Sequence, residues 1–280
     1  MKIITTTSEM KALSDAFHKN DERIAFVPTM GNLHPGHMQL VEKAETLAPK
    51  TVVSIFVNPL QFGKNEDLDS YPRTMEHDQH LLELASVDVL FAPTRNEIYP
   101  DENTSKEVIE FPGLSDVLCG ASRPGHFSGV AVVVKHLFEM IKPDVAIFGE
   151  KDYQQVLVIK KLVEEYQLPV EIVTVPTQRE IDGLAMSSRN GYLTEQQRQT
   201  APLLYKVLCH AREQVKAGLV PFAEIEQQAN EQLDKAGFKP DYFLIRHSDD
   251  LSEPNESETR LIVLTAAFLG ETRLIDNILI

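Results

Sequence analysis

The chain has 280 residues, 42% of them hydrophobic, enough for one large or two modest domains around a substantial buried core. Its formal net charge of −15 argues against nucleic acid or an anionic membrane as the main partner, because both need an extended basic surface. The only cysteines, Cys119 and Cys209, lack metal-type spacing and give neither a disulfide framework nor a redox pair, so both are expected as buried thiols. The segment Met1 to Thr7 lacks the apolar core of a signal peptide, and no apolar run reaches the roughly 18 residues of a membrane span. A cytoplasmic protein is expected.

In chain order, short apolar runs rich in β-branched residues predict strands at Ile24 to Val27, Thr51 to Val57, Val87 to Phe91, Val145 to Phe148 and Val170 to Val175. Helical spacing falls between most of them, at Met38 to Leu47, Met75 to Ala85, Val130 to Ile141 and Tyr153 to Tyr166. Continuous apolar strands alternating with helices predict a parallel α/β sheet covered on both faces, with ligands beyond the carboxyl ends of the strands. After about residue 176 the pattern changes. Helices are predicted near Thr194 to Lys216, with Thr194 as N-cap, and Pro221 to Ala236, followed by three strand-like runs. The last two, Arg260 to Leu269 and Thr272 to Ile280, flank Gly270-Glu271, which suits a tight hairpin. The expected architecture is a Rossmann-like domain over residues 1–176 and a smaller α+β domain over 177–280, with Gln178 to Leu193 joining them. The acidic stretch Asp249 to Glu258 is most simply a solvated loop.

The polar motifs follow the predicted strands. After the first comes Met30-Gly31-Asn32-Leu33-His34-Pro35-Gly36-His37, which reads as a loop opening a helix. His34 and His37 are spaced to share one face at a helix N-terminus, beside free N–H groups and the positive end of the dipole, where anions are favoured. Gly31 and Gly36 permit close backbone approach, and Pro35 suits the first helical turn. An ordinary surface loop with two solvated histidines fits this pair nearly as well. Zinc fits less well, since no Cys, Asp or Glu lies close by in sequence. Asn58-Pro59-Leu60-Gln61 follows the second strand and Gly149-Glu150-Lys151-Asp152 the one ending at Phe148, so three strand ends converge on one crevice. Taken alone, Asp152 reads equally as a helix N-cap, Asn58 as a loop cap, and Met186-Ser187-Ser188-Arg189 as a polar turn.

The histidine pair resembles the His-x-Gly-His signature of the nucleotidylyltransferase superfamily, whose histidines contact ATP phosphates during attack on the α-phosphorus. Five further segments narrow the resemblance: Phe56 to Gly63, Tyr71-Pro72-Arg73-Thr74, Arg123-Pro124-Gly125-His126-Phe127, Gly149 to Gln155, and Asp182 to Asn190. Together they resemble the pantothenate synthetase family, in order from about residue 28 to 193. The resemblance implies an AMP-forming ligase that joins (R)-pantoate to β-alanine through a pantoyl adenylate, using ATP and Mg2+, and it implies a homodimer. It implies ATP contacts at Met30 to His37, Gly149 to Asp152, Gln178 and Met186 to Arg189. It assigns pantoate to Gln61 and Gln155 and the approach of β-alanine to Gln61. His37, His34 and Lys151 become the catalytic residues, with His37 as proton donor. Physical reasoning favours an electrostatic role for His37, because departing pyrophosphate needs charge stabilisation more than a proton. The phosphate-closing loop of related adenylate-forming enzymes carries serine and lysine, and here Arg189 stands in it. Arg123 and His126 read as an ordered surface loop within reach of the crevice. Two rival readings remain: a nucleotidylyltransferase acting on a phosphate ester, and a nucleotide-binding protein without chemistry.

Overall fold

The computed structural model describes residues 1–64, 66–255 and 258–280. Its first part runs β1 (Lys2–Ile4), α1 (Thr7–Lys19), β2 (Ile24–Thr29), α2 (Pro35–Glu45), β3 (Lys50–Ile55), a 3-10 turn (Pro59–Gln61), α3 (Met75–Leu84) and β4 (Val89–Phe91). Three single-turn helices follow, α4 (Arg95–Ile98), α5 (Glu102–Ser105) and α6 (Cys119–Ser122), then α7 (His126–Ile141), β5 (Val145–Gly149), a 3-10 turn (Glu150–Asp152), α8 (Tyr153–Glu165) and β6 (Glu171–Val175). The six strands form one parallel sheet in the order β1-β4-β3-β2-β5-β6. Strand order reverses between β2 and β5, the place where an open α/β sheet leaves a crevice beyond its carboxyl ends.

The period-2 alternation of the strands divides the core between two faces. Ile24, Phe26, Val52, Ala146 and Phe148 pack with α1, α7 and α8 on one side. Ala25, Val27, Val53, Ile55, Val145 and Ile147 pack with α2 and α3 on the other. Both faces being covered explains why the strands read as continuous apolar runs.

The second part comprises a 3-10 turn (Ser188–Tyr192), α9 (Glu195–Thr200), α10 (Leu203–Ala217), α11 (Phe222–Lys235) and an antiparallel sheet of β7 (Phe238–His247), β8 (Leu261–Leu269) and β9 (Thr272–Leu279). A separate hydrophobic cluster unites α10, α11 and the three strands. Thr194 caps α9 through a capping box with Gln197, and Gly270 turns the β8–β9 hairpin at φ +63°.

Several sequence expectations are corrected. The helix expected over 194–216 is broken between α9 and α10 at Ala201-Pro202, where proline cannot continue the backbone ladder. Strand β3 stops at Ile55, before the expected Val57, and α7 begins at His126, before the expected Val130, entered through Gly125 at φ +80°. Edge strand β1 and helix α1 were not expected. Cys119 is buried, but Cys209 is only half-buried, and both are free thiols. Positions 256 and 257 of the acidic stretch lie outside the described residues.

Candidate active site

The carboxyl ends of β2, β3 and β5 open into a cavity of about 950 Å3. Its lining includes Met30, His34, Gly36 and His37 after β2, Gln61 after β3, and Gly149, Lys151, Asp152 and Gln155 after β5. Gln178 and Met186 to Arg189 close it from the junction with the second part, and the β8–β9 hairpin contributes a further wall through Phe268 and Glu271 to Asp276. Of the expected nucleotide residues, Gly31, Asn32, Leu33, Pro35 and Glu150 do not line this cavity. Glu150 instead accepts a hydrogen bond from the Thr174 hydroxyl at 2.7 Å.

The loop after β2 is held from below. Buried Asp78 on α3 accepts the backbone N–H groups of Asn32 and Leu33 at 2.9 and 2.8 Å and the Thr74 hydroxyl at 3.1 Å. Gly31 adopts φ +81°, a conformation that favours glycine, and a Cβ there would lie a tight 3.1 Å from the Asp78 carboxylate. The two histidines cap α2 themselves. His34 Nδ1 accepts Gly36 N–H at 3.1 Å, His37 Nδ1 accepts His34 N–H at 3.3 Å, and the rings lie 4.0 Å apart. With both Nδ1 atoms accepting, each neutral ring carries its proton on Nε2. Burial, reinforced by the Lys151 ammonium, pushes His34 down to about 4. Burial, then His34 and Lys151, push His37 down to about 3. The pair therefore consists of neutral hydrogen-bond donors at pH 7.

Gln61 is oriented by a chain of donors and acceptors. The Tyr99 hydroxyl, whose titration burial pushes well up, donates to Asn58 Oδ1 at 2.8 Å. That fixes Asn58 Nδ2 as donor to Gln61 Oε1 at 3.1 Å and to the Gly129 carbonyl at 3.0 Å. The Gln61 amide NH2, which lies 3.2 Å from Met30 Sδ, remains the group to offer a ligand. Asn58 thus supports Gln61, and its own carbonyl also caps the turn at Leu60. Arg123 and His126 carry more of this site than the sequence suggested. His126 Nδ1 donates to the Gln61 carbonyl at 2.8 Å and its Nε2 accepts from Arg123 at 2.9 Å, while Arg123 pairs with Glu66 at 2.6 Å. Burial and the Arg123 guanidinium push His126 down to about 4, so this brace too is neutral.

On the β5 side, Asp152 makes no side-chain cap to α8, contrary to its N-cap reading, and it lines the cavity. Neighbouring glutamines divide their work. Buried Gln154 donates to the carbonyls of Leu114 and Val117, both at 2.8 Å, whereas Gln155 lines the cavity. Among the described residues Lys151 has no ion-pair partner. Arg189 does: its guanidinium meets Asp67 at 2.8 and 3.0 Å, a pairing across 122 positions that no local signal in the sequence could reveal. Ser188 donates to the Asn32 carbonyl at 3.2 Å, tying this loop to the histidine loop.

A cavity that presents neutral imidazole donors, a lysine ammonium and two amides can bind a polyphosphate beside a hydroxylated carboxylate. The family model for pantoate-beta-alanine ligase matches residues 2–279. The pantothenate synthetase of Hahella chejuensis is 52% identical over 278 residues, covering 99% of this chain and 98% of that protein. That of Shewanella loihica is 55% identical over 257 residues, covering 92% and 91%. Among solved structures, the pantothenate synthetase of Thermus thermophilus aligns with a TM-score of 0.91 at 44% identity over 99% of both chains. The Francisella tularensis pantoate-beta-alanine ligase, solved with beta-gamma ATP and beta-alanine, aligns with a TM-score of 0.85 at 35% identity over 100% of this chain and 97% of that one.

Proposed function

From the premise that the chain belongs to the pantoate-beta-alanine ligase family, we infer that this cavity performs the ATP-dependent condensation of (R)-pantoate with β-alanine to (R)-pantothenate. A pantoate carboxylate oxygen attacks the α-phosphorus and the bond to pyrophosphate breaks, giving pantoyl adenylate. The β-alanine amine then attacks the acyl carbon, AMP leaves with the bonding pair, and the nitrogen loses a proton. The observation carrying this reading is the convergence of His34, His37, Lys151, Gln61 and Gln155 on one cavity at the strand-order reversal.

In this assignment the Nε2–H groups of His34 and His37 and the Lys151 ammonium bind the phosphates and stabilise charge as pyrophosphate departs. Their neutral resting state favours hydrogen-bond donation over proton transfer by His37. Gln61 and Gln155 bind pantoate, with Gln61 also lying on the path of the amine. Backbone near Gly149 and the Asp152 carboxylate meet the ribose. Gln178, Met186, Ser187 and Ser188 cover the nucleotide, and Arg189 joins its phosphates by exchanging Asp67 for them. Magnesium enters as part of the MgATP substrate, held by phosphate oxygens as this hard cation prefers. Residues 1–176 act as the ATP and pantoate domain and 177–280 as its cover. A cytoplasmic homodimer completes the proposal. No helix among the described residues is long and apolar enough to cross a membrane, and light scattering on the purified chain tests the dimer.

The deciding experiment is exchange of labelled pyrophosphate into ATP with magnesium. Exchange that requires pantoate, followed by AMP and pantothenate once β-alanine is added, is expected. A folded, ATP-binding protein that exchanges with other small carboxylates but not with pantoate would overturn the substrate assignment.

A further inference from the structure

The turn that carries Lys151 is held by a residue from the far end of the chain. Asn277 on β9 is 7% exposed, and its side-chain nitrogen donates to the carbonyls of Glu150 and Lys151 at 2.9 and 3.0 Å. Among the described residues no other side chain donates to these two carbonyls. Asn277 is itself held through its backbone. Its N–H donates to Asp276 Oδ1 at 2.8 Å, and its carbonyl accepts from Arg179 at 3.3 Å. Arg179 grips the Asp276 carboxylate at 2.6 and 2.9 Å and stacks 3.6 Å from the centre of the Tyr205 ring.

We propose that Asn277 is a positioning residue for Lys151, so that the last strand of the chain completes the phosphate site. A lysine is a point charge on a flexible four-carbon stem, and the backbone beneath it is what limits where that charge can go. Two bonds from one amide to consecutive carbonyls fix that backbone. Asn277 does not line the main cavity and touches no reacting atom; it acts through the residue it holds.

This inference rests on the cavity being the nucleotide site, and the test separates the two. Pantoate-dependent pyrophosphate exchange is measured on the full chain as wild type, Asn277→Ala, Lys151→Ala and the double variant. Asn277→Ala is expected to lower kcat/KM for ATP about 10-fold, in keeping with the cost of misplacing a binding group. In the Lys151→Ala background the same change is expected to cost less than about twofold, because the side chain it positions is gone. Equal losses in both backgrounds would overturn the role of Asn277. Asn277→Leu keeps the volume and removes the donors without adding a charge, so it carries the same expectation and decides the matter if the alanine variant does not fold. Wild-type kinetics in Asn277→Leu would overturn the proposal. Absence of pantoate-dependent exchange in the wild type would overturn the site assignment on which it stands.

Discussion

The chemistry of the histidine pair is set by backbone donors. Since Gly36 and His34 N–H groups donate to the two Nδ1 atoms, the rings are expected in nitrogen NMR as neutral Nε2–H tautomers at pH 7. An imidazolium signal from either residue in the ligand-free protein at that pH would sink the donor assignment. Both groups titrate lower in the fold, at about 4 and about 3, than their ordinary 6.5. As pH falls below 6.5, the unfolded chain takes up protons that the folded one refuses, so stability drops across the window from about 6.5 to 4 for His34 and on to 3 for His37. Replacing His34 with Gln should flatten the first part of that slope in urea titrations. Asp78 is the second decisive residue. Asp78→Ala leaves the Asn32 and Leu33 N–H groups without their acceptors, and about 2 kcal/mol or more of stability should be lost. Chemical denaturation tests this. An unchanged unfolding midpoint would show that the loop finds other acceptors.

Among the elements, the strand–loop–helix unit around the histidines was the most legible, because a fully buried strand, a proline at the helix start and apolar i, i+3 spacing occur close together there. Strand β1 was not legible: its three residues have one buried side chain, Ile4. The turn Pro59–Gln61 shows how an element acquires function by packing. Gly129 on α7 sits beneath it, and a Cβ there would collide with the Leu60 carbonyl and lie 2.8 Å from the Gln61 nitrogen. Gly129→Ala must push the turn away and misalign Gln61. KM for pantoate is expected to rise about 10-fold with little change in ATP affinity, read by steady-state exchange and by calorimetry with nucleotide. Equal losses for both ligands would mean that α7 supports the whole cavity rather than the part around Gln61 alone. That contact joins positions 60 and 129, so the sequence carries the glycine without its reason. The same holds for Asp67 and Arg189: the arginine looked ready to bind phosphate until the fold supplied its carboxylate.

At the scale of the whole molecule, the second part supplies a wall of the cavity. The β8–β9 hairpin lines the cavity, and the Arg179–Asp276 pair anchors it to the junction segment with the Asp276 side chain only 2% exposed. Burial raises the Asp276 carboxyl and Arg179 draws it down, with burial the larger influence. Such a pair contributes little net stability against an apolar replacement of both members, but removing one member strands the other. Asp276→Ala is therefore expected to cost about 3 kcal/mol and to loosen the wall beside Asn277. An acyl adenylate is a substrate for water as well as for an amine, and exclusion of water decides which one reacts. The loosened enzyme should release AMP in excess of pantothenate when β-alanine is limiting, whereas the wild type should hold the two products at parity. Parity in the variant, with reduced thermal stability, would make the pair a fastening alone and place the barrier to water elsewhere, at the loops carrying Asp67 and Arg189. Excess AMP would identify the antiparallel sheet as the part that lets a reactive intermediate survive until the second substrate arrives.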